Sequence, residues 1–325
     1  MTDHGLLVPG SRRAAGMADD DAVAEAMVRV ELAWLRALVE VGAVDREQAD
    51  EVAAELVYWS ADSLELAEEA EDAGNPVVPL VRAIKERVGP ACADVVHRGL
   101  TSQDTLDTAM MLLAKDALVR VRESLDAVAA ALAMLAREHW SSVMVGRTLT
   151  QYAVPVTFGL TCARWLAGVL DAVDDVDAVV PTLPVQCGGA AGTLALVGEL
   201  TEDPVAAARA FASELDLVWP GLPWHTQRRP VTRIGDALVT SCDALGVIGS
   251  DVALLSRPEI GEVREGAVPG RGGSSTMPHK RNPVLSVLVL AGALQAPLLA
   301  AQLHLAAAQA VDERPDGAWH SEWPA

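Results

Sequence analysis

Over 325 residues, 51% hydrophobic and 22% charged side chains describe a globular chain with room for two domains and a sizeable core, so disorder is not the default. Forty-five Asp and Glu against 25 Lys and Arg give a net charge of −20, which argues against nucleic acid or an anionic membrane as a partner. The four cysteines, Cys92, Cys162, Cys187 and Cys242, show no paired spacing, so neither a disulfide framework nor a zinc site is expected and a reducing cytoplasm fits.

Arg12 and Arg13 are followed by no apolar stretch, and no secretion signal is expected at residues 1–16. Helical periodicity then begins: Met27, Val30, Trp34, Leu38 and Val41 recur on one face over residues 20–41, and Gly42 supplies a stop. Shorter helices are predicted around residues 48–59 and 79–87, completing an N-terminal helical domain over residues 1–100. Next comes a stretch without Gly or Pro from Thr101 to Val145, opened by Thr101 and Asp104 in capping-box spacing. Wholly helical, it would reach roughly 65 Å, a length that only an elongated bundle uses. Further long helices are predicted over residues 155–178, 231–255 and 283–310, and convincing strand alternation is absent. The expected fold is all-α: a long-helix bundle over residues 101–325 beside the smaller N-terminal helical domain. Residues 284–308 are almost continuously apolar and long enough to span a bilayer, but Ser286, Gln295, Pro297, Gln302 and His304 interrupt them. Burial at the centre of a bundle, between subunits of a homo-oligomer, is the preferred account.

The most specific segment is Gly273-Ser274-Ser275-Thr276-Met277-Pro278-His279-Lys280-Arg281-Asn282-Pro283. Glycines at 261, 266, 270, 272 and 273 lead into it, making a mobile segment whose N–H groups can approach a ligand. Pro283 suits the first position of a helix with Asn282 as N-cap, a place that favours a carboxylate. Lys280, one of three lysines, adds a point charge. A Gly/Ser linker before an ordinary cap is the alternative, and the fixed Met, Lys, Asn and Pro weigh against it. Three other polar segments stand at helix entrances: His97-Arg98-Gly99-Leu100-Thr101-Ser102, Gly146-Arg147-Thr148-Leu149-Thr150-Gln151, and Trp224-His225-Thr226-Gln227-Arg228-Arg229. Gln186-Cys187-Gly188-Gly189 is either a tight turn between helices or a close approach to ligand. Capping, solvation or structural hydrogen bonding would explain each of these by itself.

Taken in order on a long-helix framework, these segments resemble the fumarase/aspartase superfamily, in which three separated regions meet in one active site built from different subunits. The match covers essentially the whole chain. Within the superfamily, lyases carry a histidine where this chain has Leu149, and a glutamate orienting that histidine where it has Val287. Both halves of an acid/base dyad are absent together. The segments 146–155, 223–228 and 313–323 are instead similar to the 3-carboxy-cis,cis-muconate cycloisomerases.

That resemblance implies an internal carboxylate addition forming a carboxymuconolactone, with Ser274 as the proton-transfer residue and Lys280 and Asn282 stabilising the aci-carboxylate intermediate. It implies His97, Thr101, Ser102, Arg147, Thr148, Gln151, His225, Ser275, Met277 and Arg314 as binders of a small tricarboxylate substrate, with Arg228 as a further cation. No metal or organic cofactor is called for. A cytoplasmic homotetramer with shared active sites is implied, with neither nucleic acid nor membrane as a partner. The alternatives are a fumarate-releasing lyase acting on adenylosuccinate or another nitrogen-substituted succinate, and an incomplete scaffold. The last is raised because the resembled family continues past Trp323 into a final bundle helix and a C-terminal domain.

Overall fold

A computed structural model describes residues 5–325; the first four residues of the segment inspected for a leader lie outside them. Eleven α-helices and one hairpin follow in the order α1 (Asp20–Glu40), α2 (Arg46–Leu56), α3 (Ser63–Ala73), α4 (Val77–Val88), α5 (Ser102–Glu138), β1 (Val143–Thr148), β2 (Gln151–Thr157), α6 (Phe158–Val179), α7 (Ala195–Leu200), α8 (Pro204–Glu214), α9 (Arg229–Leu255), α10 (Val284–Ala307) and α11 (Gly317–Glu322). The fold is all-α in class, and its long helices are the four expected from periodicity.

Helix α1 starts where the Asp19 side chain accepts from the Ala22 N–H at 3.1 Å, satisfying one of the donors that a helix start leaves free. Its apolar stripe, Met27, Val30, Trp34 and Leu38, is buried against α5 and α8. There Trp34 meets Phe211 edge to face at 5.4 Å and donates through Nε1 to the Arg98 carbonyl at 2.9 Å. The N-terminal helices are thereby pinned to the segment that leads into α5.

The 37 residues of α5 extend about 55 Å; α6 packs along it, and α9 packs along α6. Arg122 on α5 binds Asp177 near the end of α6, and Trp165 early in α6 donates to Asp251 late in α9 at 2.8 Å. Helix α9 therefore runs parallel to α5, while α6 and α10 run back against it. Helices α9 and α10 approach closely because small residues line the seam: a Cβ on Gly249 would lie 2.9 Å from the Ser286 carbonyl. Both are long and apolar enough to cross a membrane by length and composition. On α10, Val287, Leu294, Leu298 and Leu305 face outward. Pro297 does not interrupt this helix, which runs through it.

Two local readings of the sequence need correction. The polar segment at 146–151 is not a simple loop, because β1 and β2 pair antiparallel, with Val145 opposite Pro155 and Thr148 opposite Gln151. The reversal falls on Leu149 and Thr150, both at positive φ (49° and 66°), the geometry a two-residue hairpin loop demands. Glycine or asparagine ordinarily fills such positions, and both strands lie largely open to solvent, so neither turn chemistry nor alternation marked them. Helix α6 consequently starts at Phe158 rather than Pro155, capped by Thr157 Oγ1 accepting from the Leu160 N–H at 3.1 Å. The second correction concerns α10. Asn282 does not cap it; Pro283 occupies the cap position, and the free donors are taken by Glu265, which accepts from the Ser286 N–H at 2.7 Å and the Ser286 Oγ at 2.8 Å.

Candidate active site

The residues singled out by sequence fall into two groups at opposite ends of the bundle. The first surrounds the start of α5. Asp104, with no solvent exposure, accepts from four donors: the N–H groups of Thr101 (3.1 Å), Gly188 (3.0 Å) and Gly189 (2.8 Å), and His225 Nε2 (2.7 Å). The capping carboxylate expected from the Thr101 spacing thus also fastens the glycine turn at 188–189 and orients the buried His225 ring. Of the two readings left open for that turn, a packed structural connection is what the hydrogen bonds describe.

Arg314 closes this group from above. It donates to Gln103 Oε1 (2.8 Å), Thr101 Oγ1 (3.1 Å) and the carbonyls of Gly189 and Ala190. Partial burial depresses its affinity for the proton, while Asp104 and Asp107 work the other way. His97, in a left-handed conformation at φ 59°, places Nδ1 2.7 Å from Glu31, which also accepts from Thr105. Burial lowers the His97 pKa, yet the Glu31 carboxylate outweighs it, and the net shift is upward. Ser102 lies partly buried beside Thr101.

Arg228 behaves differently from the substrate cation suggested for it. Its guanidinium is buried, clamped on Asp107 (2.6 and 2.9 Å) and on Glu322, and stacked 4.8 Å from the Trp224 ring centroid. Trp319 Nε1 adds a donor to Asp107 at 2.9 Å. This ion cluster locks α11 onto α5 and α9. Burial raises the pKa of the Glu322 carboxyl, although Arg228 opposes it. Glu322 falls in the 313–323 segment that carried the resemblance, but nothing in the sequence marked it or Asp107 as a partner of Arg228.

The second group lies at the far end. Ser274 Oγ accepts from the N–H groups of Met277 (3.1 Å) and Thr276 (3.3 Å). Two N–H donors so placed would stabilise an alkoxide, the form a serine would need to act as a base. Asn282 closes the loop beneath it, its backbone N–H and Nδ2 both donating to the Gly272 carbonyl (2.8 and 3.1 Å). Gly272 has φ 69°, and a Cβ would fall 2.4 Å from the Asn282 carbonyl oxygen, so only glycine fits. Ser275, Met277 and Lys280 are exposed on the rim, and among the described residues the Lys280 ammonium has no ion-pair or hydrogen-bond partner.

Arg147 stands on the hairpin nearby. It does not project freely but holds Glu262 with two bonds of 2.8 and 2.9 Å, lowering the Glu262 pKa and raising its own. Thr148 and Gln151 face each other at the end of the hairpin, both exposed, and Leu149 at its tip is 94% exposed.

The two groups do not meet within one chain. Arg228 and Ser256 bracket the 27 residues of α9, a separation of about 40 Å. The structure therefore brings together Thr101, Ser102, His97, His225 and Arg314 at one end, and Ser274, Lys280, Asn282, Arg147 and Gln151 at the other.

Comparison with known proteins identifies the family of the chain. Residues 14–298 match the family model described as Lyase. The chain is 45% identical over 334 residues to the nitrosuccinate lyase of Streptomyces davaonensis, covering 99% of this chain and 70% of that protein. It is 41% identical over 303 residues to the 3-carboxy-cis,cis-muconate cycloisomerase of Pseudomonas aeruginosa, covering 92% and 65%. The crystal structure of the 3-carboxy-cis,cis-muconate lactonizing enzyme from Pseudomonas putida superposes with a TM-score of 0.88 at 35% identity, over 97% of this chain and 70% of that one. The chain belongs to the Lyase family of the fumarase/aspartase superfamily.

Proposed function

We propose that this chain carries out serine-dependent β-elimination on a small dicarboxylate whose leaving group needs no proton, with a nitro-substituted succinate as substrate and fumarate and nitrite as products. Ser274 removes the proton from the carbon α to one carboxylate, the electrons pass into an aci-carboxylate, and the C–N bond on the adjacent carbon breaks. Nitrite leaves with the bonding pair. Its conjugate acid is about as strong as a carboxylic acid, so it departs as an anion without help from a general acid.

The observation that carries this reading is the aliphatic pair at the positions of the acid dyad. Leu149 sits at an exposed hairpin tip and Val287 on the open face of the first turns of α10, so neither position can hold or relay a proton. A reaction that expels an amine would need that proton, whereas one that expels nitrite or a carboxylate does not.

The number of free cations favours the smaller anion. Of the three arginines suited to a tricarboxylate, Arg228 is neutralised by two buried acids and Arg147 by Glu262. Lys280 remains unpaired, and Arg314, bonded only to neutral acceptors, keeps an uncompensated charge, which suits a smaller anion better than a tricarboxylate. The 45% identity to a nitrosuccinate lyase points the same way.

Internal lactonisation of 3-carboxy-cis,cis-muconate is the second reading, favoured by the cycloisomerase relatives. Its reverse step also expels a carboxylate, so the same absent dyad is compatible with it. Purified protein offered nitrosuccinate is expected to release nitrite and fumarate in equal amounts. Loss of the conjugated diene of carboxymuconate, without nitrite release from nitrosuccinate, would overturn the first reading in favour of the second. Ser274→Ala should lower turnover by about 10² to 10⁴-fold, the range for loss of a general base, and a variant with near-normal turnover would remove Ser274 from the mechanism.

A further inference from the structure

The short segment from Glu262 to Glu265 is tied at both ends to elements far away in sequence. At one end, Arg147 Nη1 and Nη2 meet the two Glu262 oxygens at 2.8 and 2.9 Å, while Nη1 also donates to its own strand at the Val145 carbonyl (3.1 Å) and the guanidinium lies 5.7 Å from the Tyr152 ring centroid. The Arg147 and Glu262 side chains are only 19% and 22% exposed, so this pair is shielded compared with an ordinary surface bridge. At the other end, Glu265 takes the Ser286 N–H and hydroxyl at the start of α10. Between these ties and Ser286 the chain makes its excursion through Ser274.

This geometry has two chemical consequences. The α10 N-terminus, where a substrate carboxylate would otherwise be drawn, already holds a carboxylate of the chain itself. Arg147 spends its paired Nη1 and Nη2 bonds on Glu262 and a further Nη1 bond on Val145, so its bidentate carboxylate-binding edge is occupied. Both features are committed to the chain itself rather than to substrate. What they do jointly is fix the base of the Ser274 loop against the β1–β2 hairpin, at the two residues where β1 is irregular in register.

We propose that Arg147, Glu262 and Glu265 are positioning residues: a two-point brace that couples the hairpin to α10 and holds the Ser274 loop in register, with Arg147 acting through Glu262 rather than on the substrate. The catalytic consequence rests on the assignment of Ser274 as the proton-transfer group; the brace itself is a structural claim.

The test uses the full chain carrying Arg147→Gln, Glu262→Gln, Glu265→Gln and the exchanged pair Arg147→Glu with Glu262→Arg. Hydrogen exchange followed by mass spectrometry reads the brace without any substrate. Each single variant is expected to speed exchange of the amides at 272–287 by at least tenfold, and the exchanged pair to recover most of that protection. With nitrosuccinate or carboxymuconate, Arg147→Gln and Glu262→Gln are expected to lower kcat to a similar extent with KM within about threefold, and the exchanged pair to restore part of kcat. A raised KM for Arg147→Gln beside a near-normal Glu262→Gln would place Arg147 on the substrate and overturn the proposal. Unchanged exchange in all the single variants would overturn it as well. Failure of Ser274→Ala to lose turnover while exchange behaves as expected would sink the serine assignment and leave the brace standing.

Discussion

His97 and Glu31 make the pH dependence of this fold calculable in sign. The Glu31 carboxylate raises the His97 pKa above its ordinary value despite burial. A raised folded-state pKa means that the stabilisation is fully present below about pH 6.5, the unfolded value, and is lost as pH climbs through the higher folded value. Melting temperature followed from pH 5 to 9 should fall over that window in the native chain, and the fall should be shallower in His97→Gln. An identical slope in both would show that the pair contributes nothing.

Asp104 carries more. Its replacement by alanine would leave three buried N–H groups and the His225 Nε2 without their acceptor, a loss on the order of 3 to 5 kcal/mol. Chemical denaturation checks this, and a cost below 1 kcal/mol would mean that water substitutes freely. The spacing of Thr101 and Asp104 announced the cap, but not the other three donors, which come from residues 84 to 121 positions away. Asn282 marks the opposite limit: sequence placed it correctly beside the loop and assigned it to the wrong bond. Only the folded chain shows Glu265 reaching the helix start first.

Among elements, the long helices were legible because apolar residues at a 3.6-residue period have one use, packing against a neighbour. The hairpin was not, since its turn residues contradict local preference and its strands face solvent. Such a turn persists when surrounding contacts over-determine it, and the Arg147 tie to Glu262 is one such contact.

The inner closure of the serine loop gives a prediction at this scale. Gly272→Ala must move either the loop or Asn282, because its Cβ would meet the Asn282 carbonyl at 2.4 Å in a conformation costly for alanine. Activity should drop at least tenfold while the melting temperature moves by no more than a few degrees, as the loop contributes little buried surface. A fully active variant would show that Ser274 does not depend on this closure.

At the scale of the whole molecule, the 40 Å between the two groups decides what a single chain can do. Helix α10 leaves Leu294, Leu298 and Leu305 about 70% exposed, and the hairpin exposes Leu149, Tyr152 and Val154. Apolar faces of that extent call for cover by further protein, and antiparallel neighbours would bring the Ser274 end of one chain to the Arg314 end of another. Light scattering is expected to give a tetramer, and Leu298→Glu to dissociate it; a monomer at micromolar concentration would rule this assembly out. Mixing Ser274→Ala with His225→Ala subunits should regain a fraction of native activity, since some sites would then draw both intact groups from different chains. No recovery after verified subunit exchange would argue that each chain works alone.

The sequence by itself determined the helical class, the order of the long helices, the serine loop with its lysine, and membership of the superfamily. These depend on local periodicity and on short motifs, whose physics is contained within a few turns of chain. Tertiary structure decided which arginines carboxylates neutralise, which carboxylate occupies the start of α10, and that the two groups of candidate residues lie at opposite ends of the bundle. Those outcomes turn on pairings between residues scores of positions apart. A charged side chain takes whichever partner folding brings within about 3 Å, and its own sequence neighbourhood does not specify that partner.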